Sequence, residues 1–313
     1  MKVLNRKNLA ILLAVLVAYG GIQAAIAARL VPPFYSVNLM LICVYVILAT
    51  SLNLINGVTG QFSIGHAGFM AIGAYLSAIV SVKLHGPLGA AILAGAIVSA
   101  GVGFLVGLPT LRLKGDYLAI TTLGVGQIVQ VVFFNTNYVG GAAGFTVPRT
   151  VNWTWAFWLT VISIVIIHNF TNSTHGRACI SVRENEIAAE AMGINSTKYK
   201  VMAFSLGSFF GGIAGGLYAN YMYLIQPTTF SFLTSFNILV MVVLGGLGSM
   251  TGSIVGAVVM TVLSAYLSNF PEWRMVVTAL LLIVMMLFRP SGLLGTKEFN
   301  LGFLGKKGES RAA

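Results

Sequence analysis

Ser63 and His66 stand three residues apart, and together they are the nearest thing in this chain to a nucleophile beside a base. Nucleophilic catalysis also needs a third group that orients the base. No Asp or Glu lies deep in any apolar run, so an intramembrane enzyme is the least favoured reading. The same lack argues against a proton-driven pump, whose relay needs ionisable groups at depth. His66 and His168 are the only candidates, and His168 sits near the end of its run, where an interfacial role is expected. Phosphate chemistry is missing too. There is no Gly-x-x-x-x-Gly-Lys-Ser/Thr loop, and Gly305-Lys306 lacks both the upstream Gly and the following hydroxyl. Cys43 lies in an apolar run and Cys179 in a charged stretch, so neither a bridge nor a metal site is expected. The chain is expected to need no cofactor and not to be an enzyme itself.

The polar residues that remain fall into patches rich in glycine. The first, Asn53–Gly73, carries Gly57, Gly60, Gly65 and Gly68, with Thr59, Gln61, Ser63 and His66 between them. Each glycine costs a continuous helix roughly 1 kcal/mol relative to Ala, so the chain is expected to break here. A half-helix that starts at such a break points free N–H groups forward, where they attract anions. Transporters place broken helices at substrate sites for this reason. The alternative is that the glycines permit close packing and the polar groups satisfy the turn. That bland reading is favoured for any single residue, and a pathway lining for the segment as a whole. In a second patch Thr121, Gly124 and Gln127 recur at intervals of three, beside Thr122. They share one helix face, which could line a pore or pack against a neighbour. A third patch holds Gly245, Gly246, Gly248 and Gly252 in a turn between two apolar runs. It is weighed as the partner of the first turn in a duplicated architecture. Gly140–Phe145 is expected to be a flexible loop.

Residues 172–200 form a charged island. Arg177, Arg183, Lys198 and Lys200 stand there beside Glu184, Glu186 and Glu190, in a chain with 7 acidic residues. Glu184–Gly193 is expected to be a short amphipathic helix with Ile187, Ala188, Ala191 and Met192 on its apolar face and Gly193 as its stop. A helix lying on lipid favours Lys and Arg on its polar face. This one is acidic, so insertion into a groove of a partner protein is the better use.

These features must be held by something that lives in lipid. Of the 313 residues 57% are hydrophobic and 8% charged, against about 25% charged in soluble domains. Runs long enough to span, at about 20 residues, fall at 9–28, 36–56, 62–83, 88–110, 116–135, 153–171, 201–223, 231–247, 252–269 and 274–288. The expected fold is an all-α polytopic membrane bundle of about ten spans, a single transmembrane domain over 1–313 with 172–200 as a loop within it. The runs 231–247 and 274–288 are short, as half-membrane or tilted elements would be. With the N-terminus in the cytoplasm, only Arg29, Lys83, Arg149 and Arg274 of the 18 basic residues fall outside. Lys2, Arg6, Lys7, Arg112, Lys114, Arg289, Lys297, Lys306, Lys307, Arg311 and the island's cations fall inside, as the positive-inside rule requires. Both termini are then cytoplasmic. Ala25-Ile26-Ala27 resembles a cleavage site, but the run before it is long for a signal core, and a retained helix is favoured. The net charge of +11 therefore implies a membrane and not nucleic acid.

The island resembles the cytoplasmic coupling loop of ATP-binding-cassette importer permeases. Glu186-Ile187-Ala188-Ala189-Glu190-Ala191 and Gly193 stand where such loops carry a Glu-Ala-Ala core and a following Gly. Five blocks, NGVTGQFSIGHAGFMAIGAY, GDYLAITTLG, GGAAGF, GRACISVRENEIAAEAMGIN and VVLGGLGSMTGSIVGA, follow one another within residues 56–260. In that order they resemble the permease family for branched-chain amino acids, in its LivM-type branch. The resemblance implies a bacterial inner-membrane permease for leucine, isoleucine and valine that works by alternating access. It implies a second, LivH-type permease subunit, two cytoplasmic ATPase subunits and a periplasmic binding protein. Glu184, Glu186, Ile187, Ala188, Glu190, Ala191 and Gly193 would be the ATPase-coupling residues. The family also includes permeases for urea and short amides, and an ATP-independent carrier is the remaining alternative.

Overall fold

The computed structural model describes residues 6–28, 30–110, 113, 115–289, 292, 293 and 295. Lys2, Arg29, Arg112, Lys114, Lys297, Gly305, Lys306, Lys307 and Arg311 lie outside them.

Twelve α-helices form within the described residues. They are α1 (Arg6–Ala27), α2 (Pro33–Asn53), α3 (His66–Val82), α4 (Leu88–Thr110), α5 (Asp116–Asn135) and α6 (Trp153–Asn172), then α7 (Thr174–Glu184), α8 (Glu186–Ala191), α9 (Ser196–Tyr221), α10 (Phe232–Gly245), α11 (Met250–Tyr266) and α12 (Pro271–Phe288). All but α7 and α8 correspond to the ten apolar runs. Five elements are long and apolar enough to cross a membrane: Pro33–Val58, Leu88–Thr110, Asp116–Asn135, Trp153–Asn172 and Ser196–Tyr221. At 1.5 Å per residue, the 14 residues of α10 reach about 21 Å, short of a hydrocarbon core of about 30 Å. Its Ile238, Leu239, Val240 and Met241 are buried against other helices, so it is an interior element and not a lone span.

The interior is made by α2, α3, α9 and α10, while Ile97, Leu105, Ile128, Ile162 and Leu280 on α4, α5, α6 and α12 stay exposed, as lipid contact requires. The most extensive packing joins α3, α4 and α9. Lipid tails are as apolar as leucine, so helices gain by close backbone approach and small residues mark the seam. A methyl group at Gly95 would come within 2.6 Å of Gly73 O, and one at Gly73 within 2.6 Å of the Gly212 carbonyl carbon. Ser99 crosses the same seam, its Oγ donating to Ser208 O at 2.8 Å and to Phe69 O at 3.1 Å.

At the end of the bundle away from the island, the loop expected to be flexible is built. Two 3-10 turns, Asn137–Val139 and Gly141–Ala143, lead into β1 (Phe145–Thr146). That strand pairs antiparallel with β2 (Leu224–Ile225) in the register Phe145↔Ile225. Gly140, Gly141 and Gly144 take φ of 81°, 51° and 89°, so the glycines here make tight turns and not slack. Lys83 Nζ fastens the loop by donating to Tyr138 O at 2.5 Å.

Candidate functional site

The first glycine patch does break the helix. After α2 the backbone widens into a π-turn over Leu54–Val58, then runs without regular structure until α3 begins at His66. Residues 62–65, expected to be helical, belong to this connector. Its conformation is held by pairing. Asn56 Nδ2 donates to Ser63 O at 3.1 Å, and Ser63 N donates to Asn56 Oδ1 at 3.2 Å. Thr59 Oγ1 donates to Leu54 O at 2.9 Å, and Gln61 N to Ile55 O at 3.1 Å. Gly60 supplies the reversal with φ 72°.

The N–H groups that a half-helix offers to an anion are engaged in part. Thr122 Oγ1 accepts from Ile64 N at 3.1 Å, Ser235 Oγ accepts from Ala67 N at 3.0 Å, and Gly68 N bonds Gly65 O. Thr59, Gln61, Ser63, His66 and Thr122 are all buried, whereas Thr121 and Gln127 are half-buried on the α5 face. His66 Nε2 lies 2.8 Å from Ser51 Oγ, and Ser51 Oγ donates to Leu48 O at 3.0 Å. With the serine proton so placed, Nε2 carries the ring proton and Nδ1 is an acceptor. Gln61 Oε1, Ser63 Oγ and His66 Nδ1 are buried without a hydrogen-bond partner. Ser63 and His66 are therefore not joined as nucleophile and base. The base is bonded to Ser51, and the described residues hold no group of three or more His, Cys, Asp or Glu that could ligate a metal.

The structural glycines sort by what faces them. Gly57 and Gly248 touch: a methyl at Gly57 would come within 2.9 Å of Gly248 Cα. Gly65 abuts the Thr122 carbonyl, Gly68 abuts Gly126, and Gly245 and Gly252 face each other across the α10–α11 turn. Gly246 and Gly248 turn that loop with φ of 117° and 87°. The two glycine turns meet, and Asn53 Oδ1 accepts from Gly248 N at 2.8 Å.

The island folds as two helices where one was expected. Ser173 caps α7, its side chain accepting from Gly176 N, and α7 ends at Glu184. Asn185 is extended (φ −159°, ψ 107°), and its side chain accepts from Ala188 N to start α8. Asn competes for backbone donors and so divides helices at such a point. Glu184 therefore belongs to α7 and not to the acidic helix. Gly193, with φ 84°, closes α8 while Ile194 N bonds Ala189 O. Both glutamates of α8 are paired with the start of α9. Lys200 Nζ pairs with Glu186 Oε1 at 2.6 Å, and Ser196 Oγ donates to Glu190. This leaves Ile187, Ala188, Ala191 and Met192 facing out, with Ile187 77% and Met192 82% exposed. Cys179 on α7 is fully buried, which pushes its thiol up to about 11, a rise that a hydrogen bond with Thr59 partly offsets. Arg183, noted in the sequence only as a charge, donates from Nη1 to Gly57 O at 2.6 Å, and Gln61 Nε2 donates to Lys200 O at 3.1 Å.

Fold and site together define a class: an all-α, multi-pass membrane protein whose charged helical hairpin is bonded into breaks of the bundle helices. Residues 34–286 match the family described as branched-chain amino acid transport system / permease component, and the chain belongs to that family. It is of the LivM type. It is 34% identical over 287 residues to the high-affinity branched-chain amino acid transport system permease protein LivM of Salmonella typhimurium, covering 80% of this chain and 68% of the relative. To the LivM protein of Escherichia coli it is 32% identical over the same shares. To the LivH permease protein of Salmonella typhimurium it is 26% identical over 290 residues, covering 81% of this chain and 92% of the relative.

Proposed function

We propose that this chain is a translocation subunit of an ATP-driven importer of the branched-chain amino acids leucine, isoleucine and valine. It works in a bacterial inner membrane with both termini cytoplasmic, as one transmembrane domain whose 172–200 segment is the cytoplasmic coupling loop. A LivH-type subunit completes the pore, two cytoplasmic ATPases supply the work, and a periplasmic protein delivers the substrate. The observation that carries this reading is the face of Ile187, Ala188, Ala191 and Met192, held outward on a helix whose two acids are paired with Lys200 and Ser196. An apolar stripe on a helix outside the bundle needs a groove to cover it. Glu186 and Glu190 serve that face as its anchors, Glu184 joins Arg183 on α7, and Gly193 ends the helix.

The substrate is a zwitterion with a branched apolar side chain. Thr121 and Gln127 on α5 front the pathway, and Thr59, Gln61, Ser63, His66 and Thr122 line it as the connector between α2 and α3 rearranges through alternating access. The orphaned acceptors Gln61 Oε1, Ser63 Oγ and His66 Nδ1 suit an ammonium group. No fixed charge stands there, so the site is weak and transient, with specificity set by the delivering protein. The test is purification in mild detergent followed by mass spectrometry of what accompanies the chain. An ATPase subunit that accompanies the parent and is lost from Ile187→Asp and Met192→Asp supports the reading. A parent purified alone that moves substrate without ATP refutes it.

A further inference from the structure

Arg183 meets both glycine turns. Its Nη1 donates to Gly57 O at 2.6 Å, and a methyl at Gly248 would lie 3.1 Å from the same nitrogen. Its stem crosses Gly60, where a methyl would come within 2.6 Å of Cγ. The other side of the fork holds Glu184 Oε1, from Nη2 at 2.6 Å and from Nε at 3.1 Å. The guanidinium therefore spans from the island to the point where the α2–α3 connector and the α10–α11 loop touch.

The chemistry of that point explains the choice of residue. The last carbonyls of a helix lack intrahelical donors and carry partial negative charge. Gly57 is in the final turn of the segment Pro33–Val58. A guanidinium offers several donors in a rigid plane and can bond a carbonyl and a carboxylate at once. Cys179 stands one helical turn before Arg183 and is buried near Thr59, so one face of α7 rests on the connector. The outward apolar stripe belongs to α8, and the contact with the bundle breaks belongs to α7.

We propose that Arg183 is the positioning residue that passes movement of α7 and α8 to the junction of the two glycine turns. The inference rests on the importer reading, in which an ATPase moves α8. A push on α8 shifts α7, and Arg183 carries that shift to Gly57 and, through the Gly57–Gly248 contact, to the α10–α11 loop. The turns yield there because neither is regular helix.

The experiment uses the whole complex of this chain, its partner permease, ATPase subunits and binding protein, reconstituted in proteoliposomes. ATPase association, ATP hydrolysis and amino-acid uptake are measured separately. Arg183→Ala is expected to retain the ATPase and to hydrolyse ATP within about twofold of the parent, while uptake per ATP falls about tenfold or more, the loss of one charge-assisted hydrogen bond. Parent-like uptake per ATP in that variant overturns the proposal. So does loss of the ATPase from it, since Arg183 would then be a docking residue. If the alanine variant does not accumulate, Arg183→Lys decides: lower uptake per ATP with hydrolysis kept supports the role, and parent-like coupling overturns it. A parent complex that binds no ATPase refutes the importer reading itself, before any variant is compared.

Discussion

Asn53 Oδ1 accepts a hydrogen bond of 2.8 Å from Gly248 N, although 195 positions separate the two residues. Asn53 is the last residue of α2, and Gly248 lies in the turn between α10 and α11. Both breaks in the bundle are thus fixed to each other before any partner acts on them.

Asn53→Ala removes the acceptor and leaves the part-buried Gly248 N–H without its partner. A loss of about 1 kcal/mol is expected, the low end of the cost of an orphaned donor, since the site is only partly shielded from solvent. Gly57→Ala is expected to be worse, since the new methyl would sit within 2.9 Å of Gly248 Cα and closer to its nitrogen. Thermal unfolding of the purified variants in detergent checks both. An Asn53→Ala protein as stable as the parent would show that the contact holds nothing.

Glu186 and Lys200 form an ion pair whose side chains are 27% and 12% exposed. Glu186→Gln leaves the less exposed Lys200 ammonium without its carboxylate. Breaking a fully buried pair costs about 3–5 kcal/mol, and partial exposure lowers that to about 1–2 kcal/mol. The consequence is local: α8 loosens from the start of α9. Limited proteolysis should cut the variant faster between residues 185 and 195, with the rest of the chain unchanged.

Cys179 gives a pH signature. Burial raises its thiol from 9.0 to about 11, so at pH 7 almost none is thiolate. Alkylation of the folded protein should be slow at pH 7 and rise about tenfold per pH unit up to about 11. An exposed thiol binds fewer protons than the buried one between those two values, so the seating of α7 weakens as pH rises from 9.0 toward 11. Labelling in a Cys43→Ser background, read by mass spectrometry, tests this. Rapid labelling at pH 7 would mean that α7 is not seated on the connector.

Most of the bundle was legible in the apolar runs, because lipid imposes length and composition directly. Where pairing decides, those runs mislead. Phe62 and Ile64 look like the opening of a span, yet Asn56 holds the Ser63 backbone between them, and Thr122 the Ile64 N–H, out of helix. Asn185, a capping residue type just before the acidic stretch, carried the signal for the division into α7 and α8. Arg183 could not be assigned from sequence. Its bond to Gly57 spans 126 positions, and nothing in the local pattern names that partner.

The glycine seam among α3, α4 and α9 has a mechanical consequence. Backbones that touch at Gly73, Gly95 and Gly212 leave no slack for the helices to slide or tilt against one another. These three helices form a stiff panel, and any change of shape in the protein is displaced to its edges. A methyl group placed on that panel would jam no moving part. It would warp the frame against which the moving parts are hung.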